Sequence, residues 1–549
     1  MGPPDLANWF ASEPALQRIL HRQLGEAFDR ARPRLSEMGR AAANEVSQWA
    51  QVADRQGPRL VQYDREGRRI DEVEYHPAYR RMQQVAYGGG IVAAGYDPAL
   101  AREHGGRPRA LAFGLGYLFA TGEAGLYCPV CMTDGAARLL RLFGSPELKD
   151  RYVPRLASMD LATLYTGAMF LTEQEGGSDV GQVQTSARPD GSASRLTGQK
   201  WFCSNVDADV IMILARPEGA PEGTRGLGLY CMPRTLPDGG RNRYRIDRLK
   251  EKLGVRSMPT GEVTLEGALA YPLGEPGQGF HQMAEMLNLS RLYNAVGSAA
   301  GMRRSFLEAY AWASRRVAFG QKLVEHPLMS ETLLDLAAEQ RGALAWVFRA
   351  VELLDRADAG AATAGEARAL RLLTPMVKAY TAKKAVWAAS EGLEVLGGNG
   401  YIEDWPMARV LRDAQVLPIW EGATSVLVLD AFRAIQKSSA HEAFFEEVQG
   451  LVADAPAPVQ ERLGELLDQL STGLSELYQE PSAEHMLRDW TWAASLVWEA
   501  ALLSSKKAGH GSEADVRAAR RLLARNAPVL MLRGDRATPE DVTLVGFGP

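Results

Sequence analysis

Ala162-Thr163-Leu164-Tyr165-Thr166-Gly167-Ala168-Met169-Phe170 opens a block unlike the sequence before it. Three similar runs follow: DVIMILARP from Asp209, GLGLYCMP from Gly226 and GEVTLEGALAYP from Gly261. Each is short, largely apolar and bounded by Gly, Pro or Asp. That pattern predicts strands of an antiparallel barrel or sheet, filling a central β domain over 161–276.

On either side the period changes to that of helices. Upstream, Leu16–Ala50 alternates apolar and charged residues near the 3.6 spacing. The stretch Leu60–Tyr87 is expected to pass from a polar turn at Asp64-Arg65-Glu66-Gly67 into a further helix. Ser145-Pro146-Glu147 marks a helix start, with a capping hydroxyl, a proline suited to the first turn and an acid at the positive end of the dipole. Downstream, Phe280–Arg316, Leu328–Ala357 and Ala367–Gly398 are long amphipathic segments that suit a bundle, and Thr424-Ser425 starts a fourth. After a polar stretch near 437–442 a further helical region follows, broken by ADAPAP at 453–458. The expected division is an N-terminal helical domain with an extension over 1–160, the β domain over 161–276, a helical bundle over 277–440 and an additional helical domain over 441–549. The fold class is thus mainly α with a central β domain.

A chain of 549 residues supports two to four domains. A net charge of −5 argues against a chain-wide nucleic-acid surface. The N-terminus has no basic region followed by an apolar run, and no stretch resembles a membrane span, so a cytoplasmic protein with no membrane partner is expected. Four cysteines give no disulfide framework. Cys128-Pro129-Val130-Cys131 has redox or zinc spacing, but no second ligand pair lies nearby, so packing is the simpler reading and no metal is expected.

Four segments carry candidate chemistry. Phe170–Asp179 (FLTEQEGGSD) places a hydroxyl, two glycines and a Ser-Asp pair after an apolar strand, where backbone can approach a ligand or simply turn. Gly198–Asn205 (GQKWFCSN) sets two adjacent aromatics on opposite strand faces, so that one is free to stack on a flat ring unless both are core. Glu394–Tyr401 (EVLGGNGY) is a glycine-rich helix stop or a phosphate approach. Ile419–Ser425 (IWEGATS) puts Glu421 in a turn between Trp420 and Gly422. Apolar surroundings would raise its pKa toward that of a working base, although a surface turn glutamate is the plainer alternative.

The order and spacing of these four segments resemble the acyl-CoA dehydrogenase superfamily over residues 75–437. The Leu60–Gln83 extension, KWF, IWEG and the additional C-terminal domain resemble its AidB-like subgroup. The resemblance implies that family's fold: a helical bundle, a β-barrel and a four-helix bundle, with a further helical domain. It implies FAD, with Leu171 and Thr172 at the flavin ring and Ser178 near the pyrophosphate or substrate. Phe202 would lie against the flavin and Ser204 near its N5 edge. Arg316, Phe319, Gly397 and Gly398 would contact the cofactor of a neighbouring subunit. Glu421 would be the catalytic base, with Arg291 and Arg433 as substrate-pocket residues. Implied partners are an acyl-CoA substrate, an electron-transfer flavoprotein and further copies of the chain in a homotetramer.

The subgroup also offers an alternative role, DNA association through the C-terminal domain with weak or no dehydrogenase activity. Residues 441–549 hold 17 acidic and 10 basic residues. Within them Lys506, Lys507, Arg517, Arg520, Arg521, Arg525, Arg533 and Arg536 cluster, and Arg517, Arg521 and Arg525 recur at spacing four on one helix face. Such a face can meet phosphates, but a solvated helix face is the simpler expectation.

Overall fold

A computed structural model describes residues 6–479 and 481–526. The chain divides into two units, one of residues 1–308 with 385–421 and the other of 309–384 with 422–549.

The first unit opens with helices Pro14–Leu24 and Phe28–Ala41, the latter continuing through one π turn into Ser47–Arg55. The expected passage from a turn directly into a helix is corrected here. Arg59–Tyr63 and Arg69–Glu74 pair as an antiparallel hairpin around Asp64–Gly67, and the helix Pro77–Ala86 starts only after it. The local reason is the turn itself. The Asp64 carboxylate accepts from the Glu66 and Arg68 backbone N–H groups at 2.8 and 2.9 Å, and Gly67 takes φ +78°, a conformation that suits glycine. Asp71 then latches the hairpin down. It is buried and accepts from Arg69, Arg241 and the Ile246 N–H. The helix start at Ser145 is as expected, with Ser145 Oγ accepting from Leu148 N at 3.4 Å and Pro146 in the first turn.

Seven strands form the central sheet, from Gly167–Phe170 to Thr260–Leu273. Val210–Pro217 pairs with Gly228–Pro233, which pairs with Thr260–Leu273. That strand meets Ala193–Ser204, then Ser186–Asp190, which returns to Val210–Pro217 and closes the ring. Most pairings are antiparallel, but Gly167–Phe170 and Ser186–Asp190 run parallel to Val210–Pro217. Along Val210–Pro217 both faces are buried. Ile211, Ile213 and Ala215 enter the barrel core, while Val210, Met212 and Leu214 pack with residues of helices Tyr127–Phe143 and Pro146–Leu156. Burial on both sides explains why this strand reads as a continuous apolar run. The Gly279–Ala313 helix leaves the barrel and carries much of the site described below.

Among the described residues the second unit is helical apart from one short hairpin: Pro327–Asp358, most of Ala364–Val395, Thr424–Ser438, Ala440–Val452, Ala457–Gln479, Leu487–Ser504 and Glu513–Asn526. The long amphipathic segments thus form helices, and the ADAPAP break falls between Val452 and Ala457. Trp498 packs against Trp346 and Phe444 at its core. Among the described residues no helix is long and apolar enough to cross a membrane.

Candidate functional site

An apolar cavity lies within the first unit. One wall is a face of the Gly279–Ala313 helix: Ser290, Tyr293, Asn294, Gly297, Gly301 and Arg304 recur at helical spacing. Ser290 to Arg304 spans about 21 Å of helix axis. Gly301 leaves that wall bare, since a Cβ there would meet nothing within 4 Å, while the Tyr127 ring packs against Gly297.

Glu421 lines the same cavity, near the Ser290 end, where Arg291 Nε donates to the Glu421 carbonyl at 3.2 Å. Arg291 Nη1 also donates to Asn288 Oδ1, and Asn294 Nδ2 donates to Leu417 O, so the helix holds the turn at two places. Glu421 sits at φ +58° and Gly422 at φ +103°. A left-handed glutamate costs about 1 kcal/mol or more and persists only when its surroundings fix it.

Cys128 and Cys131 share the wall with Glu421. Burial pushes both thiols up, and the nearby Glu421 charge pushes them further. They are neutral packing groups at physiological pH. Among the described residues no cluster of three or more His, Cys, Asp or Glu is arranged to hold a metal ion. The far end of the cavity is closed by arginines that cap a helix. Arg304 donates to Thr121 O and Arg409 to Gly122 O, the last carbonyls of Pro108–Gly122.

The segment Leu171–Asp179 is tied to the strand Ala193–Ser204. Thr172 O accepts from Trp201 N at 2.9 Å. Glu173 is buried and accepts from Lys200 Nζ at 2.7 Å, Gln184 N at 2.7 Å and Thr185 Oγ1 at 2.5 Å. Leu171 and Thr172 are half-buried, while Ser178 is exposed on the outer part of the loop. Glu173 and Lys200 were absent from the sequence-based candidates, although both stand inside the motifs that supplied the others.

The two aromatics do not occupy opposite faces as expected. Lys250 Nζ lies 3.8 Å from the Trp201 ring centroid and 4.6 Å from that of Phe202. The pairing register slips between Lys200 and Cys203, and a bulge there breaks the strict alternation of a strand. Neither ring is core: Trp201 is half-buried and Phe202 is 56% exposed. Ser204 Oγ lies 3.4 Å from Thr260 Oγ1 on the adjacent strand.

Gly397 has φ +60°, and neither it nor Gly398 would bring a Cβ within 4 Å of another atom. In the second unit, Arg316 is exposed beside a two-residue hairpin turn, Phe319-Gly320, with both φ values positive. Phe319 is 96% exposed at the tip. Arg433 is exposed on Thr424–Ser438. The basic face of Glu513–Asn526 is largely neutralised. Arg521 pairs with Glu331 and Asp335, and Arg525 with Asp335. Arg517 and Arg520 are exposed, and Arg533 and Arg536 lie outside the described residues.

Three family matches follow one another between residues 3 and 436. Residues 3–161 match the adaptive response protein AidB N-terminal domain, 168–268 the acyl-CoA dehydrogenase middle domain, and 277–436 the acyl-CoA dehydrogenase C-terminal domain. The chain is 37% identical to acyl-CoA dehydrogenase family member 11 of Caenorhabditis elegans over 489 residues, covering 86% of this chain and 78% of that protein. It is 34% identical to the AidB protein of Escherichia coli over 447 residues, covering 80% of each. The crystal structure of C. elegans ACDH-11 in complex with C11-CoA superposes with a TM-score of 0.90 at 33% identity, covering 97% of this chain and 93% of that one.

Proposed function

Because the chain belongs to the acyl-CoA dehydrogenase family, in its AidB-like branch, we propose that it oxidises the Cα–Cβ bond of an acyl-CoA thioester with Glu421 as the base. The observation that carries this reading is Glu421 itself, held in the left-handed region at one end of an apolar cavity long enough for an acyl chain. Arg291 fixes the backbone that presents the carboxylate. Mostly apolar walls around the carboxylate favour its taking up a weakly acidic proton next to the thioester carbonyl.

FAD, the cofactor of this family, supplies the acceptor for the hydride that leaves the β carbon when it is bound. The residues present fit it. Phe202 offers an exposed ring face, Leu171 and Thr172 border it, and Ser204 offers a hydroxyl beside Thr260. Gly397 and Gly398 leave backbone open to close approach. Phe319, bare at a hairpin tip, and the neighbouring Arg316 suit a contact to the cofactor of another copy, which makes the working form an oligomer, read as a homotetramer. Ser178 is assigned to the pyrophosphate or substrate, and Arg433 to a substrate contact on the family resemblance alone. A cytoplasmic location and an electron-transfer flavoprotein as oxidant complete the reading. The DNA-binding alternative gains nothing from Arg521 and Arg525, whose charges are already met by acids of Pro327–Asp358.

The test is anaerobic mixing of the yellow holoprotein with a series of acyl-CoAs. Bleaching of the flavin band in the wild type and its loss in Glu421→Gln are expected. Full bleaching in Glu421→Gln would remove Glu421 as the base, and no bleaching by any acyl-CoA would remove the activity.

A further inference from the structure

Lys252 lies in the link between the strands Tyr244–Leu249 and Thr260–Leu273 and takes no part in the chemistry assigned above. Its ammonium donates to two neutral oxygens, Met258 O at 2.5 Å and Thr260 Oγ1 at 3.0 Å. Among the described residues it has no carboxylate partner.

The acids around it are engaged elsewhere. Asp413, on the Pro406–Ala414 helix, receives Arg409 and the Val255 N–H. Asp54, on Ser47–Arg55, receives Arg412. Glu123, in the turn before Tyr127–Phe143, receives Ser257, Gly125 N and Leu126 N. Cys128, on Tyr127–Phe143, also faces it and is neutral. Lys252 is therefore a positive charge with no ion-pair partner of its own. Burial pulls its pKa down to about 8, with Cys128 and the three acids pulling back only in part.

The second oxygen it holds leads to the site. Thr260 Oγ1 is shared between Lys252 Nζ at 3.0 Å and Ser204 Oγ at 3.4 Å. The relay Lys252–Thr260–Ser204 therefore runs from a cation without an ion-pair partner among the described residues to the hydroxyl assigned to the edge of the flavin that accepts the hydride. A fixed positive charge next to the place where two electrons arrive favours their arrival, and in a partly buried site its effect is larger than in water.

We infer that Lys252 is a positioning residue that sets the electron affinity of the bound flavin through Thr260 and Ser204. The inference rests on the cofactor reading above. Its sign is fixed: removing the charge makes the flavin harder to reduce.

The experiment is a potentiometric titration of the FAD-loaded protein, followed at the flavin absorbance band. Lys252→Met is expected to lower the equilibrium preference for reduction about tenfold at neutral pH, a shift of about 30 mV for a two-electron couple. Lys252→Arg, which keeps the charge, is expected to retain the wild-type potential. The gap between wild type and Lys252→Met should close as the pH rises past about 8, where the wild-type ammonium loses its proton.

A Lys252→Met holoprotein with the wild-type potential at neutral pH overturns the inference. Should that variant fail to retain FAD, the wild type alone decides: a single unbroken slope of potential against pH from about 6.5 to 9.5 overturns it equally. A protein that cannot be loaded with FAD at all refutes the cofactor reading instead, so the two failures are distinguishable.

Discussion

Replacing Lys200 with methionine tests what holds the Leu171–Asp179 loop in place. Lys200 is 1% exposed and Glu173 6%, with Nζ and Oε1 2.7 Å apart. Lys200 Nζ also donates to Leu171 O at 3.3 Å and Leu214 O at 3.0 Å, so one ammonium joins the loop to two strands. Burial alone would raise the Glu173 carboxyl, but Lys200, Thr185 and Gln184 N outweigh it and hold it below 4.5. Burial also pulls Lys200 below 10.5, and Glu173 opposes that. The pair is ionic at neutral pH.

Removing one partner of a buried pair leaves an uncompensated charge and costs about 3–5 kcal/mol. Lys200→Met should lower unfolding stability by that amount at pH 7, measured by urea denaturation, and should release FAD as the loop loosens. Because the Glu173 pKa is depressed, its contribution is present above 4.5 and is lost as the pH falls through the lower folded value. The penalty in Lys200→Met should therefore shrink on acidification, when Glu173 is protonated. The double variant Glu173→Gln/Lys200→Met should recover most of the loss. A single-variant loss below about 1 kcal/mol, or strict additivity in the double variant, would refute the reasoning.

Two further expectations come from other parts of the molecule. Gly301→Leu projects a side chain into the open space of the cavity, about 16 Å along the helix from Ser290. It should cut bleaching by long acyl-CoAs at least about tenfold while sparing butyryl-CoA, and an equal loss for all chain lengths would show that the acyl group does not run along this wall. Glu499 is fully buried in the second unit, and among the described residues neither carboxyl oxygen has a hydrogen-bond partner. Burial, then the neighbouring Glu339, pushes its pKa well above 4.5, with Lys384 opposing. The folded state holds that proton when the unfolded chain has lost it, so stability falls as pH rises from 4.5 toward the folded value, by at most about 1.4 kcal/mol per pH unit. Glu499→Gln should remove this slope. Parallel stability profiles for variant and wild type between pH 5 and about 9 would contradict the assignment.

The layout of helices around a β block was legible because periodicity is a local property. The Ser145 cap and the ADAPAP break were legible for the same reason. Glu421 was legible as an acid in a turn between Trp420 and Gly422, but its φ was not, because Arg291 and Asn294 hold that turn from a helix about 130 residues away in sequence. Trp201 and Phe202 were misplaced because a bulge is set by the register with Thr260–Leu273, which no local pattern records. The relay from Lys252 to Ser204 was invisible for the same reason: it exists only once two strands align Thr260 with Ser204. The spacing of Arg517, Arg521 and Arg525 correctly placed them on one face, yet spacing alone gives no view of Glu331 and Asp335 on the helix opposite.

The Cys128–Cys131 pair shows how the cavity constrains its own chemistry. Thiol–disulfide exchange and metal binding both need thiolate, and thiolate forms where neighbouring charge is positive. Here the surroundings act in the opposite direction. Burial penalises the anion, and Glu421 adds a negative charge beside both sulfurs. Cys131 Sγ donates to Ser290 Oγ at 3.3 Å, a use of the thiol proton that redox or metal chemistry would remove. The coupling is mutual. A thiolate at either position would repel the Glu421 carboxylate and favour its protonated form, in which it could not serve as the base proposed above. A spacing that elsewhere signals redox or zinc chemistry is therefore, in this wall, neutral packing that adds no sulfur anion beside the proposed base.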